Sequence, residues 1–121
     1  MKKIPLLLLS YLFISAPEGY ALASEKSTVL ITGSNRNIGL EFVKQFSKAG
    51  WRVIATTRSI DSADELIEFS KQNQNVIVEQ LDITNDQHLK NLKKKYEDDA
   101  IDILLNNAAY TPRYFSSFRG I

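Results

Sequence analysis

Thr32-Gly33-Ser34-Asn35-Arg36-Asn37-Ile38-Gly39 is the stretch that decides how this 121-residue chain folds. Before it stands Thr28-Val29-Leu30-Ile31-Thr32, a short apolar, β-branched run that reads as a buried strand. After it, Ile38, Phe42, Val43, Phe46 and Ala49 recur at helical spacing on one face, and Gly50 stands where a C-terminal cap belongs. The octet is therefore a turn from strand to helix. Gly33 lets the backbone turn sharply and bares its N–H groups. The helix start adds unsatisfied N–H groups and the positive end of its dipole. Gly39, having no side chain, lets the helix pack close to the strand. Such a turn holds a phosphate or pyrophosphate without needing a charged side chain.

Outward from the turn, the alternation continues. Arg52–Thr56 reads as a second strand, Val76–Leu81 as a third and Ile101–Leu105 as a fourth. Between them, Ser62–Lys71 reads as a helix with Ala63, Leu66, Ile67 and Ser70 on one side, and Ser62 with Glu65 forms a capping box. Thr84–Tyr96 reads as a third helix with Leu89, Leu92 and Tyr96 inward. Parallel strands need crossovers, and crossovers are right-handed. The expected fold is α/β: a Rossmann-type doubly wound parallel sheet of about four strands, order 3-2-1-4, with the switch point between strands one and four.

Composition narrows the function. Hydrophobic residues make up 44% and charged residues 24%, which is globular rather than disordered. Setting aside Lys2, Lys3 and Glu18 at the N-terminus takes fifteen Lys+Arg and fourteen Asp+Glu to thirteen of each. A neutral chain gives no electrostatic case for nucleic acid or anionic lipid. Lys93-Lys94-Lys95 is offset by Glu97, Asp98 and Asp99 and reads as a solvated helix end. With no cysteine there is no disulfide, thiolate metal site or thiol nucleophile. His88 is the only histidine, which excludes a histidine-cluster metal site, and it reads as a surface residue.

The first 23 residues form an address. Met1-Lys2-Lys3 is basic, Ile4 to Ser15 is apolar, and Ala21-Leu22-Ala23 puts small residues before a cut. A bilayer span needs roughly 20 apolar residues, more than this run supplies. The expectation is a secretory signal peptide cleaved after Ala23, leaving residues 24–121 as a dinucleotide-binding domain that is secreted or periplasmic and spans no membrane. The alternatives are an uncleaved anchor and a miscalled start, the latter leaving the protein cytoplasmic.

Four segments together resemble the short-chain dehydrogenase/reductase family, in its carbonyl-reductase-like branch. Thr32-Gly33 through Ile38-Gly39 resembles its T-G-x-x-x-G-I-G signature. Asn106-Asn107-Ala108-Ala109 resembles its N-N-A-G, Leu81-Asp82-Ile83-Thr84 its D-V-T segment, and Ala55-Thr56-Thr57-Arg58 the end of its second strand. The resemblance covers Thr28 to Ala109 and implies a nicotinamide dinucleotide. Gly33, Ser34, Asn35, Arg36, Asn37 and Ile38 would line its pyrophosphate and adenosine ribose. Asp82 would accept from the adenine amino group, Ile83 would pack on the ring, and the backbone of Asn107 and Ala108 would lie along the ribose and nicotinamide. The resemblance favours NADP(H) over NAD(H). NAD users carry an acid at the end of strand two, whereas this chain has Arg58 there and no acid until Asp61. Arg36 and Arg58 suit a 2′-phosphate.

The chain departs from the family pattern twice. Asn37 replaces the middle glycine; asparagine tolerates left-handed backbone, but its side chain crowds the pyrophosphate and is expected to weaken binding. The family's Ser and Tyr-x-x-x-Lys, which move the proton in reduction of a carbonyl or oxidation of an alcohol, are also missing. No lysine follows Lys95, and Tyr110 and Tyr114 are followed four positions on by Tyr114 and Phe118. The expectation is the cofactor-binding half of an oxidoreductase, truncated before its catalytic residues. A non-catalytic nucleotide- or partner-binding module and a gene remnant are the alternatives. Strand four would then be an exposed edge open to oligomer formation, with marginal stability.

Overall fold

The computed structural model describes residues 26–112. The expected leader and Tyr114, Phe115 and Phe118 lie outside the described residues. Four strands, β1 (Thr28–Ile31), β2 (Arg52–Thr57), β3 (Val76–Gln80) and β4 (Ile103–Leu105), form one parallel sheet in the order β3-β2-β1-β4. Three helices, α1 (Asn37–Lys48), α2 (Asp64–Gln72) and α3 (Asp86–Lys95), make the crossovers, and a short 3₁₀ turn, Ile60–Ser62, precedes α2. The expected architecture and strand order are both present. Val29 pairs with Val53 on one side and Ile103 on the other, so strand ends carrying the sequence motifs rise to the same edge of the sheet.

Strand alternation divides the core. Val29, Ile31, Val53, Ala55 and Val76 face α1 and α2, where they meet Leu40, Val43, Ala63 and Leu66. Leu30 and Ile54 face the other way, toward Tyr96 just past α3, with Leu92 packed beside them. Both faces of β1 are buried, which is why its sequence is continuously apolar rather than alternating. Leu104, paired with Leu30 on the edge strand β4, is 58% exposed.

Local chemistry sets the helix ends. At the end of α1 the Trp51 N–H donates to the Phe46 carbonyl and the Gly50 N–H to the Ser47 carbonyl, with Gly50 at φ +87°. This is a Schellman cap, and its usual apolar contact is the edge-to-face pair of Phe46 and Trp51, 5.1 Å between centroids. The capping box expected at Ser62 and Glu65 does not form. Ser62 is held in the 3₁₀ turn, its hydroxyl donating to the Ser59 carbonyl, and α2 starts at Asp64 without a side-chain cap. Leu89, expected inward, is exposed, because α3 covers the sheet only toward its C-terminal end. There Tyr96 donates to Glu79 at 2.6 Å. Burial, then the bond to Glu79 and its charge, push the phenol well above the ordinary tyrosine range. No helix among the described residues is long and apolar enough to cross a membrane, and those residues hold no cluster of three or more potential metal ligands.

Candidate functional site

The loops at the C-terminal ends of all four strands surround one cavity of about 400 Å³. Parallel α/β sheets place ligands at this edge, at the switch point between neighbouring strands whose crossovers diverge, here β1 and β4. The floor is the β1–α1 turn. Gly33 adopts φ +67°, and a Cβ there would come within 3.0 Å of the Ala108 backbone. Asn37 adopts φ +51°, the left-handed backbone expected for a residue standing where the signature has glycine. Gly39 is under the tightest constraint: a Cβ there would fall 2.0 Å from the Gly33 carbonyl oxygen and 2.7 Å from Asn107 Nδ2.

A hydrogen-bonded knot ties this turn to the end of β4. Thr32 Oγ1 accepts the backbone N–H groups of Asn107 and Ala108, each at 3.0 Å. The Asn107 side chain returns the contact, donating Nδ2 to the carbonyls of Thr32 at 3.2 Å and Gly33 at 3.1 Å. Asn107 is therefore a staple between two loops, and both its backbone N–H and that of Ala108 point into the knot. Asn107 and Ala108 still line the cavity wall.

The start of α1 differs from those of the other helices. Asn85 caps α3 by accepting the N–H groups of Gln87 and His88, and α2 has Asp64 and Glu65 in its first turn. α1 has neither a side-chain cap nor an acid in its first turn. Its first N–H groups and dipole are left for an anion in the cavity.

Asn35, Arg36, Asn37 and Ile38 line the cavity beside Gly33 and Gly39; Arg58 enters from β2, and Asp82 and Ile83 from β3. Arg36 and Arg58 are exposed, and among the described residues neither guanidinium is paired with a carboxylate. Asp61, the first acid after β2, is not on the cavity wall. Ser34 is the one expected residue that does not reach the cavity. It is fully buried, its hydroxyl donating to the Ile31 carbonyl at 2.9 Å and its N–H to the Thr56 carbonyl at 2.8 Å. Thr57, Ser59, Ser62, Thr84 and Tyr110 also line the cavity; Thr57 and Thr84 stand in the motif segments, but none of the five was expected at the site.

Asp82 is oriented by its own turn. Its Oδ1 accepts the Thr84 hydroxyl at 2.7 Å and the Thr84 N–H at 2.9 Å. Those two bonds hold its carboxyl below the ordinary aspartate range against the opposing effect of burial, with the charges of Arg58 and then His88 adding to them.

Residues 27–119 match the short chain dehydrogenase family. The chain belongs to that family. An uncharacterized oxidoreductase of Schizosaccharomyces pombe is 34% identical over 98 residues, covering 78% of this chain and 39% of the relative. Among solved structures, the NADPH-bound carbonyl reductase from chicken fatty liver is 26% identical with a TM-score of 0.62, covering 79% of this chain and 39% of that one. A 4-hydroxyisoleucine dehydrogenase complexed with NADH is 28% identical with a TM-score of 0.61, covering 70% and 35%. The chain thus spans under half the length of each of these short chain dehydrogenase relatives. The two solved structures carry NADPH and NADH respectively, which differ by a 2′-phosphate, so the family alone does not choose between them.

The cavity suits a dinucleotide of this kind. Its volume is in the range of small-molecule sites. It offers uncapped N–H groups for a pyrophosphate, two cationic side chains on its wall, and exposed Ile38 and Ile83 as apolar wall.

Proposed function

We propose that this chain is the NADP(H)-binding half of a short chain oxidoreductase that transfers hydride between NADPH and a carbonyl or alcohol. The observation that carries the reading is the pair of unpaired guanidinium groups, Arg36 and Arg58, on the wall of a cavity floored by the uncapped start of α1. An anion at that helix start needs no counter-charge, so the arginines are left to hold a further phosphate, as a 2′-phosphate would require. In this arrangement Gly33, Asn35, Asn37 and the start of α1 hold the pyrophosphate, and Asp82 and Ile83 hold the adenine. Asn107 and Ala108 shape the path toward the nicotinamide. Ser34 supports the turn from beneath. The bound dinucleotide would supply the hydride; the residues of this chain bind and orient it. Titrating the purified protein with NADPH and NADH tests the reading: NADPH should bind at least tenfold more tightly, and equal or tighter NADH binding would overturn it.

The second reading is a nucleotide- or partner-binding module without chemistry of its own. The 121 residues carry no Tyr-x-x-x-Lys after Asn107, so the two readings differ in whether that pair is encoded further on. Coding for Ser and Tyr-x-x-x-Lys beyond codon 121, in any frame, would support the oxidoreductase; its absence would support the module. The basic, apolar and small-residue layout of residues 1–23 supports export with cleavage after Ala23. A purified protein beginning at Ser24 is the expected result, and one beginning at Met1 would refute cleavage.

A further inference from the structure

His88 lies off the cavity wall, yet it controls one side of it. The Asp82 N–H donates to His88 Nδ1 at 3.1 Å, across six residues, and the His88 N–H is held by Asn85 Oδ1 at 3.1 Å. A ring nitrogen that accepts a backbone N–H carries a lone pair, so in the neutral ring the proton is on Nε2. The turn between β3 and α3 is built on this contact. The Asp82 carbonyl accepts the Asn85 N–H, and Asp82 Oδ1 accepts both donors of Thr84. Leu81, Asp82, Ile83 and Thr84 then form part of the cavity wall, along with Arg58.

We propose that His88 is a positioning residue for the adenine side of the nucleotide site, and that protonating its ring loosens that wall and weakens nucleotide binding. The inference rests on the reading that the adenine lies against Asp82 and Ile83. A protonated imidazole has donors at both nitrogens, so the Asp82 N–H would face a donor instead of an acceptor. The charged groups around the ring do not replace that acceptor. The Asp82 carboxylate, with Oδ1 held by Thr84, attracts a charged ring, Glu79 of β3 is bound by Lys95 and Tyr96, Asp86 is exposed at the start of α3, and Arg58 is cationic; none of these accepts the Asp82 N–H in place of Nδ1. Histidine side chains as a class change charge between about pH 5 and pH 8, so the test compares the two ends of that interval.

The test uses adenosine 2′,5′-bisphosphate, which carries the adenine half alone, titrated into the full chain and its His88→Asn and His88→Leu variants. Asparagine places Oδ1 where histidine has Nδ1 and does not titrate; leucine removes the acceptor. Near neutral pH the wild type and His88→Asn should bind alike, with His88→Leu about fivefold weaker, the net worth of one hydrogen bond. On acidification to about pH 5.5 the wild type should fall further than His88→Asn by a similar factor. The ligand's own phosphates titrate in this range, but equally for both proteins, so the difference belongs to residue 88. Parallel loss in wild type and His88→Asn would overturn the inference, and this comparison does not depend on the leucine variant folding. Equal binding by a folded His88→Leu would overturn it as well. If the wild type binds no bisphosphate at any pH, the nucleotide reading itself falls and takes this inference with it.

Discussion

Replacing Gly39 with alanine adds one methyl group to a helix, and helix propensity alone would make that change favourable by about 1 kcal/mol. The surroundings of Gly39 reverse the sign. The new Cβ would stand 2.0 Å from the Gly33 carbonyl oxygen, 2.9 Å from the Gly33 carbonyl carbon and 2.7 Å from Asn107 Nδ2. An ordinary C···O contact is about 3.3–3.6 Å, so the helix and the turn must separate by more than about 1 Å. Two of the three clashing atoms are backbone, in a turn already committed to positive φ at Gly33 and Asn37. Overpacking costs about 1–3 kcal/mol when neighbours can yield. Separation also lengthens the two bonds from Asn107 Nδ2 to the Thr32 and Gly33 carbonyls, each worth about 1 kcal/mol. Less the propensity gain, the net loss should be about 2–4 kcal/mol, a large share of the roughly 5–15 kcal/mol that holds a domain together. Urea denaturation, followed by circular dichroism and by Trp51 fluorescence, would measure it. Gly50→Ala is the control: Gly50 has φ +87° and nothing within 4 Å of where a Cβ would stand, so only backbone strain of about 1–2 kcal/mol applies. If Gly39→Ala is neutral, stabilising, or milder than Gly50→Ala, the close approach of α1 to the Gly33 turn is not what fixes this site.

Thr32→Val removes the acceptor shared by Asn107 and Ala108; because Asn107 N–H also reaches the Leu105 carbonyl, the expected cost is about 2 kcal/mol by denaturation, with Thr32→Ser largely retaining stability. Asn37→Gly should tighten NADPH binding by removing a side chain beside the pyrophosphate, and a clear loss of affinity in titration would contradict that account. Thr84→Val should raise the Asp82 carboxyl toward the ordinary aspartate value, read by NMR titration of the carboxyl carbon. Because folding lowers the Asp82 value, its stabilising contribution is present above the unfolded value and is lost as pH falls through the folded one; Thr84→Val should reduce that part of the acid sensitivity, the backbone bond remaining.

The strands and their order were legible because each buried run is short, β-branched and followed by helical spacing, which leaves little choice but a parallel sheet with crossovers. Gly33, Asn37 and Gly39 were legible for a related reason: backbone geometry limits which residues a turn tolerates, and that limit shows in the letters. Side-chain destinations were harder to read. Ser34 sits inside a phosphate-type turn, yet its hydroxyl turns down to the Ile31 carbonyl, a choice that depends on local backbone direction. Ser62 has the spacing of a capping box with Glu65, but the Ser59 carbonyl draws it into a 3₁₀ turn first. His88 read as a surface residue because a single histidine in a polar helix start has no periodicity to betray it; its partner is a backbone N–H, which no sequence pattern encodes.

Gly33, Asn107 and Ala108 both line the cavity and help join β4 to the sheet. β4 is three residues long and, among the described residues, pairs only with β1, too little to hold an edge strand by ladder bonds alone. Thr32 and Asn107 add four bonds at its C-terminal end, and Gly39 brings the α1 start against the same point. Fold and site are therefore one structure rather than a scaffold with a site added. A ligand that binds across the β1–α1 turn and the Asn107–Ala108 wall would bind only when β4 is docked, and so would stabilise β4 in proportion to its occupancy. Conversely, any change that frees β4 opens the wall of the cavity, so loss of nucleotide affinity and loss of strand attachment should arise together from mutations in the knot, and separately from mutations in Arg36 or Arg58, whose side chains make no hydrogen bond or ion pair among the described residues.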